Sequence, residues 1–490
     1  MTCFVGVAGF ALLVQCKTID DPCEGACPAD PSGDGGLVPD VVVPANCDET
    51  ADADASGAAG CVVDSFAVFV NAAGGDDAAD GSKARPVRTV GAAVARASAT
   101  GKRRAYTCGA GPYEEAIVLK SAVSLLGGFA CGSWAYDGVK ARIAPAPGAY
   151  ALHIDRAPGT IVLSDLELVA ANATADGGNS VAVFVHEATA RFVRADLRAG
   201  NGKKGADGEG GKPGTLTAVT AGSLMDLDGN AASGTTGGIF KDCTCSNGGP
   251  ALSRGGGGGG VNTLGGNGLP ARGGGTGGDA SDAACGASGT GKVGGPGANV
   301  DPVGAALGRG SLTSAGWAPA GGTEGSQSGG PGQGGGGGGG ANATNAGGGG
   351  ACGGCGGTPG KAGGGGGASI ALLTRSSTLE LRSSSLSAGA AGAGGEGGAG
   401  GVGGGGGLLG GAGNCRGGGG GKGGIGSAAS GGAGGVSMGL LYQRTAPSLD
   451  EATTSAITSG TVGAAGKGGA PGTNDGPPGV ADKVREVSTF

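Results

Sequence analysis

The chain is 490 residues long and 125 of them are glycine, several times the roughly 7% of ordinary proteins. Aromatic residues are 3% and charged residues 14%, so one conventional hydrophobic core cannot extend over the whole length. A formal net charge of −7 and a pI near 5.0 argue against a nucleic-acid partner, because phosphate binding needs clustered Lys and Arg. The one basic run, Lys102-Arg103-Arg104, reads as an exposed strand entrance.

The first element is residues 4–14 (FVGVAGFALLV), an apolar run of signal-peptide length and too short to span a membrane. It ends in Leu13-Val14-Gln15-Cys16, which resembles the lipobox of bacterial lipoproteins. The resemblance implies lipidation of Cys16 and a membrane anchor through that lipid. Gln15 departs from the small residue of the pattern, and no Lys or Arg precedes the run. Residues 1–16 are therefore expected to be an export segment and residues 17–60 an acidic, disordered linker. Within that linker Asp48, Asp52 and Asp54 lack the ligand spacing of a calcium loop. Fourteen cysteines against two histidines point to disulfides in an oxidising compartment and away from zinc. Cys243-Thr244-Cys245 and Cys352-Gly353-Gly354-Cys355 carry metal-like spacings, but glycine tracts flank them and no second CxxC knuckle follows, so disulfide pairing is expected there too.

Residues 61–200 hold most of the Val, Ile, Leu and Phe. Val90, Ala93, Val94 and Ala97 fall at i, i+3, i+4, i+7, with Thr89 as N-cap and Gly101 as stop, which predicts a short amphipathic helix that plugs an open apolar end. Short β-branched strands follow, with turns expected at 109–112, Gly127-Gly128, 145–148 and Pro158-Gly159. Phe69-Val70, Gly75-Asp76, Gly81 with Pro86 and Thr89, Gly111-Tyr113-Glu115, and Ser124-Leu125 with Gly127-Gly128 occur in one order. That order resembles the N-terminal region of pectin-lyase-like right-handed parallel β-helix proteins, over roughly residues 66–200. It implies the fold and leaves activity open, since that fold hosts lyases, hydrolases, epimerases and adhesins.

Residues 150–172, 180–200, 368–389 and 436–460 each read as strand, polar turn, strand, then glycine. Units this small bury their apolar faces by stacking as coils of a solenoid. An offset of about 31 residues relates Leu152 and Ile154 to Val183 and Val185, and would set Leu166 beside Leu197. In the later coils Ile370, Leu372, Leu379, Leu381 and Leu386 are expected to point inward. Cys108 and Cys131 lie in neighbouring strand-to-turn positions, and parallel strands about 4.8 Å apart suit a disulfide. The expected class is thus all-β, a right-handed parallel β-helix with an N-terminal capping helix and long glycine-rich loops. The remaining divisions are glycine-rich insertions over 201–435 with a coil near 368–389, a final coil over 436–470 and a tail over 471–490.

The glycine tracts alone should be disordered. One register argues otherwise: Gly389, Gly392, Gly395, Gly398, Gly401 and Gly404 recur every third residue. A period of three suits a polyproline-II-like helix, and with so little proline the comparison is a bundle of the polyglycine-II kind. The tracts also resemble PGRS-type glycine-rich repeats in composition.

Outward charged residues of the coils are His153, Asp155, Arg156, Asp165, Glu167, His186, Glu187, Arg194 and Asp196. Such residues are ordinarily solvated, and no nucleophile, base and orienting group can be assembled from them. No catalytic residue, metal site or cofactor is assigned. The sequence is read as an exported structural or adhesive protein of the cell surface, outer-membrane-anchored or extracellular, with a polysaccharide or surface matrix as partner. The alternative is a polysaccharide lyase or glycoside hydrolase using the acids just named.

Overall fold

The computed structural model describes residues 42–55, 58–220, 226–246, 252–282, 284–340 and 345–489. The export segment and Cys16 lie outside the described residues. In chain order come β1 (Ala67–Asn71), α1 (Val90–Thr100), β2 (Arg104–Cys108), β3 (Ile117–Leu119), β4 (Ser124–Phe129) and β5 (Ala141–Ile143). Two regular turns of chain follow: β6 (Leu152–Asp155), β7 (Thr160–Ser164), β8 (Leu166–Val169), then β9 (Ser180–His186), β10 (Thr189–Val193), β11 (Asp196–Arg198). The glycine-rich region contains β12 (Leu216–Thr220), β13 (Lys241–Cys245), β14 (Leu252–Gly255) and the hairpin β15 (Gly310–Thr313) and β16 (Gly316–Pro319). After it come β17 (Ser369–Arg375), β18 (Thr378–Arg382) and β19 (Ser385–Ser387). The last elements are β20 (Ser437–Gln443), β21 (Ser448–Leu449), α2 (Glu451–Ser455), β22 (Ile457–Thr458) and β23 (Ala481–Glu486).

The fold is all-β and mainly parallel. From β6 onward the chain visits three parallel sheets in turn, whose orders are β3-β6-β9-β17-β20-β23, β1-β2-β4-β7-β10-β18-β21 and β5-β8-β11-β19-β22. Leu152, Ile161, Leu168, Val183, Phe192, Leu197, Leu372, Leu381, Leu386, Leu440 and Ile457 meet in one core between them. Helix α1 adds Val90, Ala93, Val94 and Ala97 to that core. Its Thr89 side chain accepts from Ala92 N, and Gly101 ends it at φ 73°. The Glu115 carboxylate accepts from Val90 N and Gly91 N, placing negative charge at the helix N-terminus.

Register follows from corner lengths. Leu152 pairs with Val183 and Asp155 with His186, an offset of 31. After the corner, Thr160 pairs with Thr189, an offset of 29, because Pro158-Gly159 adds two residues that the next coil lacks. Leu197 therefore faces Leu168, not Leu166, which instead pairs with Ala141. Across the glycine-rich region the offset is constant: Ser180 pairs with Ser369, Thr189 with Thr378 and Asp196 with Ser385, each 189 residues apart. Gly127 and Gly128, expected as a turn, lie within β4 at an irregularity of its pairing with β2.

Inward and outward residues do not alternate strictly in the six-stranded sheet. Regular pairing skips one residue in β9, β17 and β20, at Ala182, Ala371 and Gly439. Such an irregularity reverses the alternation. Leu372, Leu379, Leu381 and Leu386 join the central core, whereas Ile370 is on the outer face with Val181, Phe184, Leu373, Met438 and Leu441. Leu312 and Trp317 of the β15–β16 hairpin cover that face. On the outer face of the seven-stranded sheet, Phe69, Tyr106, Phe129 and Trp134 pack with Ala53.

Part of the segment placed by composition in the linker is anchored there: Ala53 joins the aromatic cluster, and Ala51 and Ala58 are buried. Cys47 is bonded to Cys61, and buried Arg104 donates to the Asp48 and Ala51 carbonyls. Cys108 is joined to Cys131, Cys243 to Cys352, Cys245 to Cys355 and Cys285 to Cys415.

The glycine tracts are ordered, against the expectation of disorder, because each run finds backbone partners on its neighbours. Gly392, Gly395, Gly398, Gly401, Gly404 and Gly407 donate to the carbonyls of Gly367, Gly364, Lys361, Thr358, Cys355 and Cys352. Gly354, Gly357, Gly360, Gly363 and Gly366 donate to Gly421, Gly424, Ser427, Ser430 and Ala433. Gly420, Gly423, Gly426, Ala429, Gly432 and Gly435 close the triangle by donating to Gly407, Gly404, Gly401, Gly398, Gly395 and Gly392. The period is three throughout, and successive residues of a run address different neighbours. A Cβ on Gly357 or Gly420 would overlap the carbonyl oxygen of Gly401 or Cys352. The side chains of the run 389–404 sit at Ala390, Ala393, Glu396, Ala399 and Val402, with Ala391 as the one exception.

Candidate functional site

Two columns of corner residues carry most of the charged chemistry. At the corner after the six-stranded sheet, Arg156, Glu187 and Ser376 have φ of 50°, 50° and 51°; at the next corner Asp165, Arg194 and Ser383 have 53°, 51° and 48°. Non-glycine residues seldom adopt this conformation, and its recurrence at matching positions of successive coils fixes where these side chains leave the backbone.

At the first corner Arg156 forks onto Asp155, with Nε 3.2 Å from Oδ1 and Nη2 3.2 Å from Oδ2. His186 Nδ1 is 3.0 Å from Asp155 Oδ1. The Arg156 and His186 hydrogen bonds hold the Asp155 carboxyl down at about 2. Arg375 Nη1 lies 2.7 Å from His186 Nε2, and Glu187 Oε1 is 3.5 Å from that nitrogen. The rings of His153, Phe184 and His186 stack at 5.0 and 6.0 Å, and burial pushes the His153 imidazole towards its neutral form.

At the second corner Asp165 is buried and accepts a bidentate pair from Arg194 at 2.8 Å each. Arg194 also reaches Asp52 at 3.2 Å, and Tyr136 Oη donates to Asp165 at 3.2 Å. Burial and the Asp165 charge push the Tyr136 phenol up to about 12. Beside this corner, Asp54, Lys83, Phe129, Trp134 and Tyr136 line a cavity of about 470 Å³. Glu167 is paired with Arg142 and Arg198, and Asp196 with Lys140 and Ser385.

The structure thus brings together Asp155, Arg156, His186 and Glu187 at one corner and Asp165 with Arg194 at another, while His153 belongs to the ring stack. The expectation of simply solvated charges fails for Asp155, His186 and Asp165, which are buried and paired. Each named acid is engaged with a cation or a hydroxyl, and most of these pairs join one coil to the next. Arg375 was missed by local spacing, since it lies 189 residues beyond His186; only the register of Ser180 with Ser369 points to it.

The four cysteines with metal-like spacing are committed to disulfides, and their spacings suit that use. Cys243 and Cys245 are two apart on one face of β13, while Cys352 and Cys355 are three apart in a run of period three. Among the described residues no group of three or more metal-ligating side chains is assembled. A second recurring device is a serine column. The Ser180, Ser369 and Ser437 hydroxyls donate to the carbonyls of Ala171, Gly200 and Gly389. They accept from the amides of Gly200, Gly389 and Gly460. Each ties the start of a coil to the start of a glycine run.

No protein-family model, curated protein or solved structure gives a match to the chain.

Proposed function

We infer that the chain is an exported structural or adhesive protein of the cell surface. In this reading the three parallel sheets form a right-handed parallel β-helix of the pectin-lyase-like kind, and the glycine runs form a polyglycine-II-like bundle fused to its side. The observation that carries it is the three-residue hydrogen-bond period of the glycine runs, which turns backbone amides into a stiff body with side chains kept to chosen registers. The five disulfides found among the described residues suit an oxidising compartment, and among the same residues no helix is long and apolar enough to cross a membrane. The partner in this reading is a polysaccharide or surface matrix.

The test compares surface display and adhesion of the full chain with a variant lacking residues 389–435, and with Asp155→Asn, Asp165→Asn, Glu187→Gln and Asp196→Asn singly. Adhesion should be lost in the deletion and nearly unchanged in the single variants. Release of unsaturated or reducing ends from a polyuronide panel, abolished by one carboxylate substitution in a folded chain, would overturn this reading in favour of a lyase or hydrolase.

A further inference from the structure

The six-stranded sheet is interrupted in sequence between β9 and β17, and at the corner a charged side-chain bridge crosses that interruption beside the Ser377 hydroxyl, which accepts from Ala188 N and donates to Val185 O. Arg375 Nη1, on the β17 side, is 2.7 Å from His186 Nε2, on the β9 side. An arginine guanidinium donates and never accepts. His186 Nε2 therefore holds a lone pair, and the ring's single proton sits on Nδ1, 3.0 Å from Asp155 Oδ1. The imidazole donates to the preceding coil and accepts from the following one, which requires it to be neutral.

The ring has little freedom to rearrange. Its side chain is 6% exposed, and it stacks on Phe184, itself stacked on His153. The charged and titratable groups facing it are Asp155 and Arg156 beyond β6, Glu187 beside it, Arg375 from β17, and His153 further along the stack. Glu187 Oε1 stands 3.5 Å from His186 Nε2 and 3.8 Å from Arg375 Nη1, an acceptor shared by two possible donors.

We propose that His186 is an acid-sensitive latch between the coils preceding the glycine-rich region and the coil that follows it. A proton taken from solvent at Nε2 removes the lone pair on which Arg375 rests. The new N–H donates to Glu187 Oε1, and the Arg375 guanidinium, now facing a second cation, turns out to water. No covalent bond changes, and one proton is taken up.

The chain has two histidines, so a full-length sample labelled with nitrogen-15 at histidine shows two imidazoles, assigned with His153→Gln. The expected result is His186 in its Nδ1–H form at about pH 8, with Nε2 gaining a proton as the sample is acidified while the chain stays folded. Amide protection of β17, corrected for intrinsic exchange, should then fall at least roughly tenfold, as for loss of one charge-assisted hydrogen bond. Arg375→Ala should show the low protection before and after acidification, and His186→Gln, which keeps an acceptor but cannot titrate, should not change with pH. A proton on Nε2 at about pH 8, or double protonation that leaves β17 protection unchanged, overturns the proposal even where a variant fails to fold.

Discussion

A single methyl group placed inside the glycine-rich body should reveal whether its backbone contacts bear stability. In Gly397→Ala the new Cβ would lie 2.5 Å from the Ala429 carbonyl oxygen and 2.6 Å from the Ser430 carbonyl carbon and oxygen. Comfortable carbon contacts begin near 3.5 Å, so one run must retreat by most of an ångström. The neighbour cannot yield freely, because Ala429 N is bonded to Gly398 O and Ser430 N to Thr323 O, while Gly397 N holds Lys467 O. Weakening three hydrogen bonds at about 1 kcal/mol each, with about 1 kcal/mol of overpacking, gives a cost of about 4 kcal/mol. That is close to a thousandfold in the opening equilibrium. Gly405→Ala, in the same run, meets nothing within 4 Å and should be neutral or slightly stabilising. Amide exchange of residues 415–436 in the two variants is the assay. Equal effects from both would refute the claim that close backbone approach, and not glycine content as such, holds the runs together.

Other outcomes follow from the coils. Replacing both Cys108 and Cys131 by Ala opens a loop with a sequence separation of 23 and should cost about 3 kcal/mol in denaturant unfolding. Asp155 is held at about 2 against an ordinary value of 3.8, so its contribution is present above about pH 4 and is lost as pH falls towards 2. Asp155→Asn should therefore flatten the acid limb of the stability profile, and an unchanged limb would show that its ion pairs contribute nothing. Leu381→Ala removes a fully buried side chain from the third coil and should cost about 2–5 kcal/mol. Its effect should be read at β9 and β20 as well as at β18 if the coils share one core.

The coils were legible because apolar spacing, capping residues and Gly or Pro corners act locally. Thr89, Val90, Ala93, Val94, Ala97 and Gly101 mark α1 within one short stretch, although Glu115 and the shared core complete it. Register was legible only within a coil. The two extra residues at Pro158-Gly159 moved the partner of Leu197 from Leu166 to Leu168, and the irregularity at Ala371 put Ile370 on the outer face. The charged corners were named correctly as residues but not as an arrangement, since Arg375 comes from the far side of the glycine-rich region. Order in that region was the hardest to read. A glycine run has no side chain to record its partner, so the fit between runs 389–407, 346–367 and 415–436 leaves only the three-residue period as a trace.

That period has a consequence for how such a gene can change. Repetitive glycine codons lengthen and shorten by slippage during replication. An insertion of three residues returns every later side chain to its former direction, whereas one or two residues would rotate alanines and glutamate into the neighbouring carbonyls. Viable length variants should thus differ by multiples of three between anchored points such as Ser369 and Ser437. Each coil then carries an appendage whose reach can drift in discrete steps while the corner residues stay in place.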